Sequence, residues 1–330
     1  MSAVFPLSVD NSVAFIPLLG FKTKNRFAKS SKILPEIPDL KLLNPREFSE
    51  VAAQEGEIDF RTTLGSLELD FLDESYIVQI PLKNTSAEDA PEALTDLNSI
   101  LLTFSGNLWC LQDCAVNLDA GYIFSQSITG PTVHKNDVKN HFYNSYGRDR
   151  EIVPFTFNEV SKAARDAFHS AHTYLESSKI ASQKNTRIQG IKRLERFQVW
   201  IFDARQKRDL LVRIATYITA LEALLSTSQS ELSHQLSERV ALLCPASIGL
   251  PKLDIFLQMK RSYGCRSKAL HGSSVKEAQT QHLLELSVFL DRVCRAFLVE
   301  IVSSSKFRSH FQNNDSIDEL VRKRLFSEQT

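Results

Sequence analysis

The run KRSYGCRSKALHG, residues 260–272, holds four basic side chains, no acidic one, and a single histidine near its end. An arginine and a histidine in one short stretch are the parts that cleavage of an RNA backbone needs. Arg266 can grip phosphate oxygens with the fork of its guanidinium, and His271 can move protons between the 2′-hydroxyl, the leaving 5′-oxygen and solvent. In helical spacing Tyr263, Arg266 or Ser267, and Leu270 share a face, and Gly272 stands where a helix C′ residue belongs. His271 then sits at a helix C-terminus, where the helix dipole favours its imidazolium form, with the Arg266 cation nearby. The same spacing also describes an ordinary surface helix end capped by cations. Spacing alone leaves both readings open.

Glu222 is the third residue with a chemical question attached. Phe197, Ile201, Ala204, Leu211, Ala215, Ile218 and Leu225 recur at steps of four and three, which predicts a helix over roughly 188–226 with Arg208 and Glu222 on the same apolar stripe. A carboxylate on a buried stripe must be neutralised, paired or functional, unless the stripe drifts and carries it to solvent. Arg208 lies about 21 Å away along the same helix at 1.5 Å per residue, too far to pair. The partner therefore has to come from another helix, and the basic run at 260–272 supplies one.

Three blocks together, TYITALEALLS (216–226), ELSHQLSERVALL (231–243) and YGCRSKALHG (263–272), resemble the Apea-like branch of the HEPN domains, the higher eukaryotes and prokaryotes nucleotide-binding superfamily. The resemblance covers roughly residues 190–305 and does not reach residues 1–150. It implies a dimerising α-helical bundle and, in many members, a metal-independent ribonuclease whose motif is Arg, four to six residues, then His. Arg266 and His271 fit that motif, and the dimer would bring two copies of each to one cleft. Glu222 matches the acidic position of the ALEALL block, where it would pair with Arg266 or orient His271. Many such nucleases carry Asn, Asp or His directly after the Arg; this chain has Ser267, which hydrogen-bonds but does not ionise in that range.

The elements that must position these residues are helical. From about Thr156 onward apolar residues recur at three and four spacings and Gly and Pro nearly vanish within each segment. One helix is expected over 156–178 and the next over 188–226. A third starts at the capping box Ser228-Gln229-Ser230-Glu231, buries Leu232, Leu236, Val240 and Leu243, and stops at Pro245. A fourth begins near Pro251. A fifth begins at the capping box Ser274-Val275-Lys276-Glu277 and buries Leu283, Leu290, Cys294, Phe297 and Ile301, and the SIDELVRKRLF tail adds a sixth. The expected architecture is an antiparallel bundle.

The first 150 residues read differently. SLELDFL (66–72) and YIVQIPL (76–82) alternate with period two, with DES (73–75) as a hairpin loop, and Pro91–Leu102 reads as a helix before a return to β-like composition. The polar stretch 130–155 is the expected linker. The whole chain carries 39 basic and 39 acidic side chains. Residues 1–150 hold 13 of the basic and 20 of the acidic ones, so the zero net charge hides an acidic first half and a basic second half. A basic half points to a polyanionic partner or to attraction between the halves. With 330 residues, 43% apolar, the chain has enough apolar side chains for about two domains, and disorder is excluded. Five scattered cysteines argue for a reducing, cytoplasmic setting. No apolar run reaches the ~20 residues of a membrane span, and no signal peptide is legible at the start.

Other patterns carry less. Cys110 and Cys114 have metal-like spacing without a second ligand pair, and His169 and His172 sit one turn apart with no carboxylate beside them in a ligand pattern. The cluster Lys184, Arg187, Lys192, Arg193, Arg196, Arg205, Lys207 and Arg208 is either a solvated helix face or a track for an RNA backbone. No phosphate-binding glycine loop, dinucleotide fingerprint or HExxH is present.

The expectation is thus an α+β protein, a β-containing domain at 1–150 that senses or regulates, followed by an all-α HEPN-like bundle at 151–330. Its expected function is metal-independent endoribonuclease activity without a cofactor, serving phage defence or a toxin-like system. Arg266, His271 and Glu222 are the catalytic candidates, and Arg261, Tyr263, Ser267 and Lys268 the substrate contacts. RNA and a second copy of the chain are the expected partners, with a protein or phage trigger acting through the first domain and no membrane. The alternative is a non-catalytic HEPN module that dimerises and binds nucleic acid or protein.

Overall fold

The computed structural model describes residues 11–25, 31–34, 40–54, 63–83, 85–127, 130–136, 141–149, 151–167, 192–228, 232–270 and 280–326. The protein is of mixed α and β class, with a sheet region followed by a helical region. Of the described residues, those up to His141 and from Asp149 to 167 form one compact unit, and Phe142–Arg148 joins those from 192 onward in a second. None of the described helices is long and apolar enough to cross a membrane.

The first unit is organised on β1 (Asn11–Leu19). Its run from Ser12 to Leu18 has no exposed position, so it reads as near-continuous apolar sequence rather than alternating. β1 pairs antiparallel with β5 (Tyr76–Lys83) on one side and with β7 (Tyr122–Ser127) and β6 (Asn117–Leu118) on the other. The sheet extends through β4 (Lys41–Leu43) to β3 (Ser31–Lys32) at one edge and to β8 (Gly130–Lys135) at the other, seven strands among the described residues. Val13, Phe15, Tyr122 and Phe124 pack with Phe48 of α1 (Phe48–Gln54) and Leu72 of α2 (Ser66–Glu74). The opposite face lies under α3 (Ala90–Leu111), where a Cβ on Gly121 would come within 2.8 Å of Leu94 and 3.4 Å of Ile16. The short strands β2 (Phe21–Thr23) and β9 (Val153–Phe155) pair in parallel.

Two expectations for this unit are corrected. SLELDFL is helix, not strand, and DES is its end, not a hairpin loop. A strand would bury Leu67, Leu69 and Phe71 together, whereas Leu67 is 84% exposed, Leu69 and Phe71 are partly buried and Leu72 is fully buried. The stretch expected as a linker contains β8, which is hydrogen-bonded to β7, and β9. The helix foreseen at Pro91–Leu102 exists and runs two turns further. The helix at 157–167, here α4, opens with Thr156 and Glu159 in reciprocal capping contact, and these bonds hold the Glu159 carboxyl below the usual range.

The second unit is built around α6 (Leu210–Leu225). It is buried on nearly every face, as an apolar helix must be, and packs against α5 (Arg193–Arg205), α7 (Leu232–Leu243), α8 (Lys252–Leu270) and α9 (Thr280–Ser303). A 3₁₀ turn at Ala246–Ile248 precedes α8, and α10 (Ser305–Ser309) and α11 (Asn314–Phe326) follow α9. The single helix expected over 188–226 is two. It breaks at 206–209, and Asp209 caps the second part by accepting from the Val212 amide at 2.9 Å. The break resets the helical phase. Arg208 is therefore an exposed loop residue rather than a member of a stripe. Leu283, Leu290, Cys294, Phe297 and Ile301 of α9 are buried as expected, whereas Leu232 of α7 is only half-buried. Both predicted capping boxes include residues outside the described ones.

Candidate active site

Glu222 sits in the last turn of α6 with 14% of its side chain exposed, and Arg266 sits in the last half of α8 with 24% exposed. Arg266 Nη2 lies 3.0 Å from Glu222 Oε2. The partner for the buried-stripe carboxylate is thus the arginine of the RxxxxH motif, delivered by the packing of α8 on α6. Tyr263, one turn before Arg266, completes the group. Its hydroxyl accepts from Arg266 Nη1 at 3.1 Å and donates to the Glu222 carboxylate, and its ring centroid is 5.5 Å from the guanidinium carbon.

Burial dominates the electrostatics of this cluster. It lifts the Glu222 carboxyl above the ordinary Glu value, and Arg266 and the Tyr263 hydroxyl offset only part of that. Tyr263 is pushed up as well, by burial first and by the Glu222 charge second. Glu222 Oε1 is buried and accepts no hydrogen bond among the described residues. A carboxylate with one engaged and one unengaged oxygen is incompletely compensated.

Arg261 is exposed and, five residues before Arg266, points about 140° around the helix from it. It does not join the cluster. His271 lies outside the described residues, as do the side chains of Ser267 and Lys268, and His169, His172, Lys184 and Arg187. Of the basic cluster, Arg193 and Arg205 are structural. Arg193 Nη1 donates to the carbonyls of Ala223, Leu224 and Ser226 at the end of α6, and Arg205 is buried with its guanidinium 4.5 Å from the Phe142 ring centroid. Lys207 pairs with Asp203, which leaves Lys192, Arg196 and Arg208 as the exposed cations among the described residues of that stretch. Among the described residues, the basic side chains along α5 are thus divided between the surface and the interior.

Sequence reasoning missed a second polar group in the same unit. Tyr217 Oη donates to Asp291 Oδ1 at 2.9 Å, Arg295 Nη2 is 3.4 Å from Asp291 Oδ2, and burial raises the Tyr217 hydroxyl well above its ordinary value. Beside it the fully buried Arg213 donates through Nε to the Lys207 carbonyl at 2.8 Å and through Nη1 to the Asn144 carbonyl. Ser287 Oγ donates to the Ser145 carbonyl at 2.6 Å. These bonds seat the segment Phe142–Arg148 among the helices. The sequence signal was Arg213, a charge within the largely apolar helix that also carries Glu222.

Cys244 and Cys294 are not activated thiols. Burial pushes Cys244 up to about 12 and Cys294 well above its ordinary value. Cys110 is half-buried at the end of α3 and Cys114 is buried. Among the described residues no three His, Cys, Asp or Glu side chains gather as a metal site.

No family model, no curated protein and no solved structure matches the chain.

Proposed function

We propose that the second unit is a HEPN-type helical module and that the chain is a metal-independent endoribonuclease acting through Arg266 and His271. The observation that carries the reading is the Glu222–Tyr263–Arg266 cluster. It puts the motif arginine, with a defined orientation, beside the acidic residue of the ALEALL block. Arg266 would hold the scissile phosphate, and His271 would serve as general acid or base. The substrate's own 2′-hydroxyl would attack the phosphorus and expel the 5′-oxygen, leaving a 2′,3′-cyclic phosphate. One Arg–His pair attends one side of a phosphate, so a second copy of the chain would supply the other pair. The role we propose in phage defence or toxin action follows from the resemblance, with the acidic first unit sensing a trigger.

The deciding experiment is cleavage of RNA by the purified chain, with and without His271→Ala. Cutting that disappears with His271 supports the assignment, and cutting retained at full rate removes it. A second reading, a binding module without catalysis, is favoured by one specific observation: Arg266 is already neutralised by a neighbouring carboxylate, as in a purely structural ion pair. RNA binding without any cleavage would select it.

A further inference from the structure

The guanidinium that the proposed reaction needs for a phosphate already has an internal anion. Glu222 Oε2 is 3.0 Å from Arg266 Nη2, while Arg266 Nη1 is held by the Tyr263 hydroxyl and the Tyr263 ring flanks the guanidinium. An RNA phosphate oxygen that took the same Nη2 edge would come within a few ångströms of the Glu222 carboxylate. In a half-buried site, two such anions repel strongly because water screens them poorly. Arg266 alone cannot neutralise both.

We propose that Glu222 is a proton-controlled gate on Arg266: a phosphodiester binds the guanidinium together with one proton, which Glu222 takes up from solvent. This rests on the assignment of Arg266 to the phosphate. The atom that receives the proton is Oε1, which is buried and accepts no bond among the described residues. Protonation there removes the repulsion and frees Arg266 Nη2 for the incoming oxyanion. The charge balance is complete, since one anion arrives, one anion is neutralised and no covalent bond other than O–H changes. Burial already lifts the Glu222 carboxyl above the ordinary range, which brings the gate closer to neutral pH.

The groups acting on Glu222 come from α8, namely Arg266 and Tyr263. From α5 Arg193 and from α7 Arg239 engage the carbonyls at the end of α6, and from α9 Asp291 and Arg295 lie by Tyr217. Histidine is the side chain that ordinarily ionises near neutral pH, and His271, five residues after Arg266, lies outside the described residues. It must therefore be removed before the gate can be read.

The test is calorimetric titration of the full chain carrying His271→Ala with a short 2′-O-methyl oligouridylate, which cannot be cleaved and whose bases and phosphodiesters do not titrate from mildly acidic to neutral pH. The gate predicts an affinity that falls up to ~tenfold per pH unit above the carboxyl's titration, with close to one proton taken up per site. Buffers of different ionisation enthalpy count that proton without any change to Glu222. Adding Glu222→Gln should tighten binding at neutral pH and flatten the dependence. Binding that needs Arg266 but takes up no proton, or keeps its pH slope in the Glu222→Gln chain, sinks the gate alone. Absent binding, or binding that Arg266→Ala leaves unchanged, sinks the phosphate role of Arg266 and the gate with it.

Discussion

Glu222 and Arg266 are each half of an unstable arrangement, and the cost of removing one depends on what it leaves behind. Arg266→Ala strands a carboxylate with 14% of its side chain exposed, and the expected loss is about 1–3 kcal/mol in denaturant unfolding, less than a fully buried pair would cost. The same substitution and His271→Ala should each abolish RNA cutting, with His271→Ala retaining RNA binding because it removes proton transfer more than charge. In stability, Glu222→Gln should reveal the sign of the carboxyl's contribution through pH. The folded-state value lies above the ordinary 4.5, so the native chain holds more protons than the unfolded one across the interval between them. The carboxyl's contribution is then full below the unfolded value and is lost as pH rises through the folded one. Unfolding curves at a series of pH values should show wild type losing stability against Glu222→Gln as pH climbs from near 4.5. A gap that widens on acidification would mean that Arg266, not burial, controls the group.

At the scale of the element, α6 is held at both ends by side chains from elsewhere or just outside it. Asp209 caps its start, and at its end Arg193 takes the Ala223, Leu224 and Ser226 carbonyls while Arg239 takes Leu225. Arg239 also binds Thr227 and Asp318, tying α11 to the same helix end. Four orphan carbonyls at a buried helix terminus need such partners, and a cation there also complements the helix dipole. Arg193→Ala should therefore cost about 1–2 kcal/mol, while Arg196→Ala, an exposed residue one turn away, should stay within about 0.5 kcal/mol. Thermal unfolding of the two variants side by side checks this. Equal effects would show that charge on α5, not the capping geometry, is what matters.

For the whole molecule, the proposed chemistry sets the substrate. DNA lacks the internal 2′-nucleophile, so DNA of the same sequence should be spared, and the 5′ fragments from RNA should end in 2′,3′-cyclic phosphate. The reaction as proposed draws on protein groups and that hydroxyl, so cutting should persist in chelator. Loss of activity in chelator or equal cutting of DNA would point to a different nuclease class. A composite site further requires a dimer. Light scattering should find a dimer at micromolar concentration, and a monomer there would remove the composite-site arrangement. RNA binding should weaken steeply with salt. Lys192, Arg196 and Arg208 remain exposed for such contacts, whereas Arg193 and Arg205 are committed inside the fold.

What the chain determined by itself was what depends on neighbours within a turn or two. Helix period in the second half, the helix stop before Pro245, the start after Pro251 and the apolar face of α9 all follow from local spacing and local breakers. So did the need of Glu222 for a cationic partner. Local spacing also misled where two periods compete: Leu67, Leu69 and Phe71 alternate like a strand, and only burial of Leu72 against the sheet core selects the helix. Likewise the apparent stripe from Phe197 to Leu225 runs straight through a break, because Asp209 restarts the helix in a new phase. The pairing of Glu222 with Arg266 beside Tyr263, and the burial of Arg213 and Asp291, belong to the tertiary structure. Each joins side chains far apart in sequence, and whether a charge there is screened, paired or lifted in pKa depends on which helices exclude water around it.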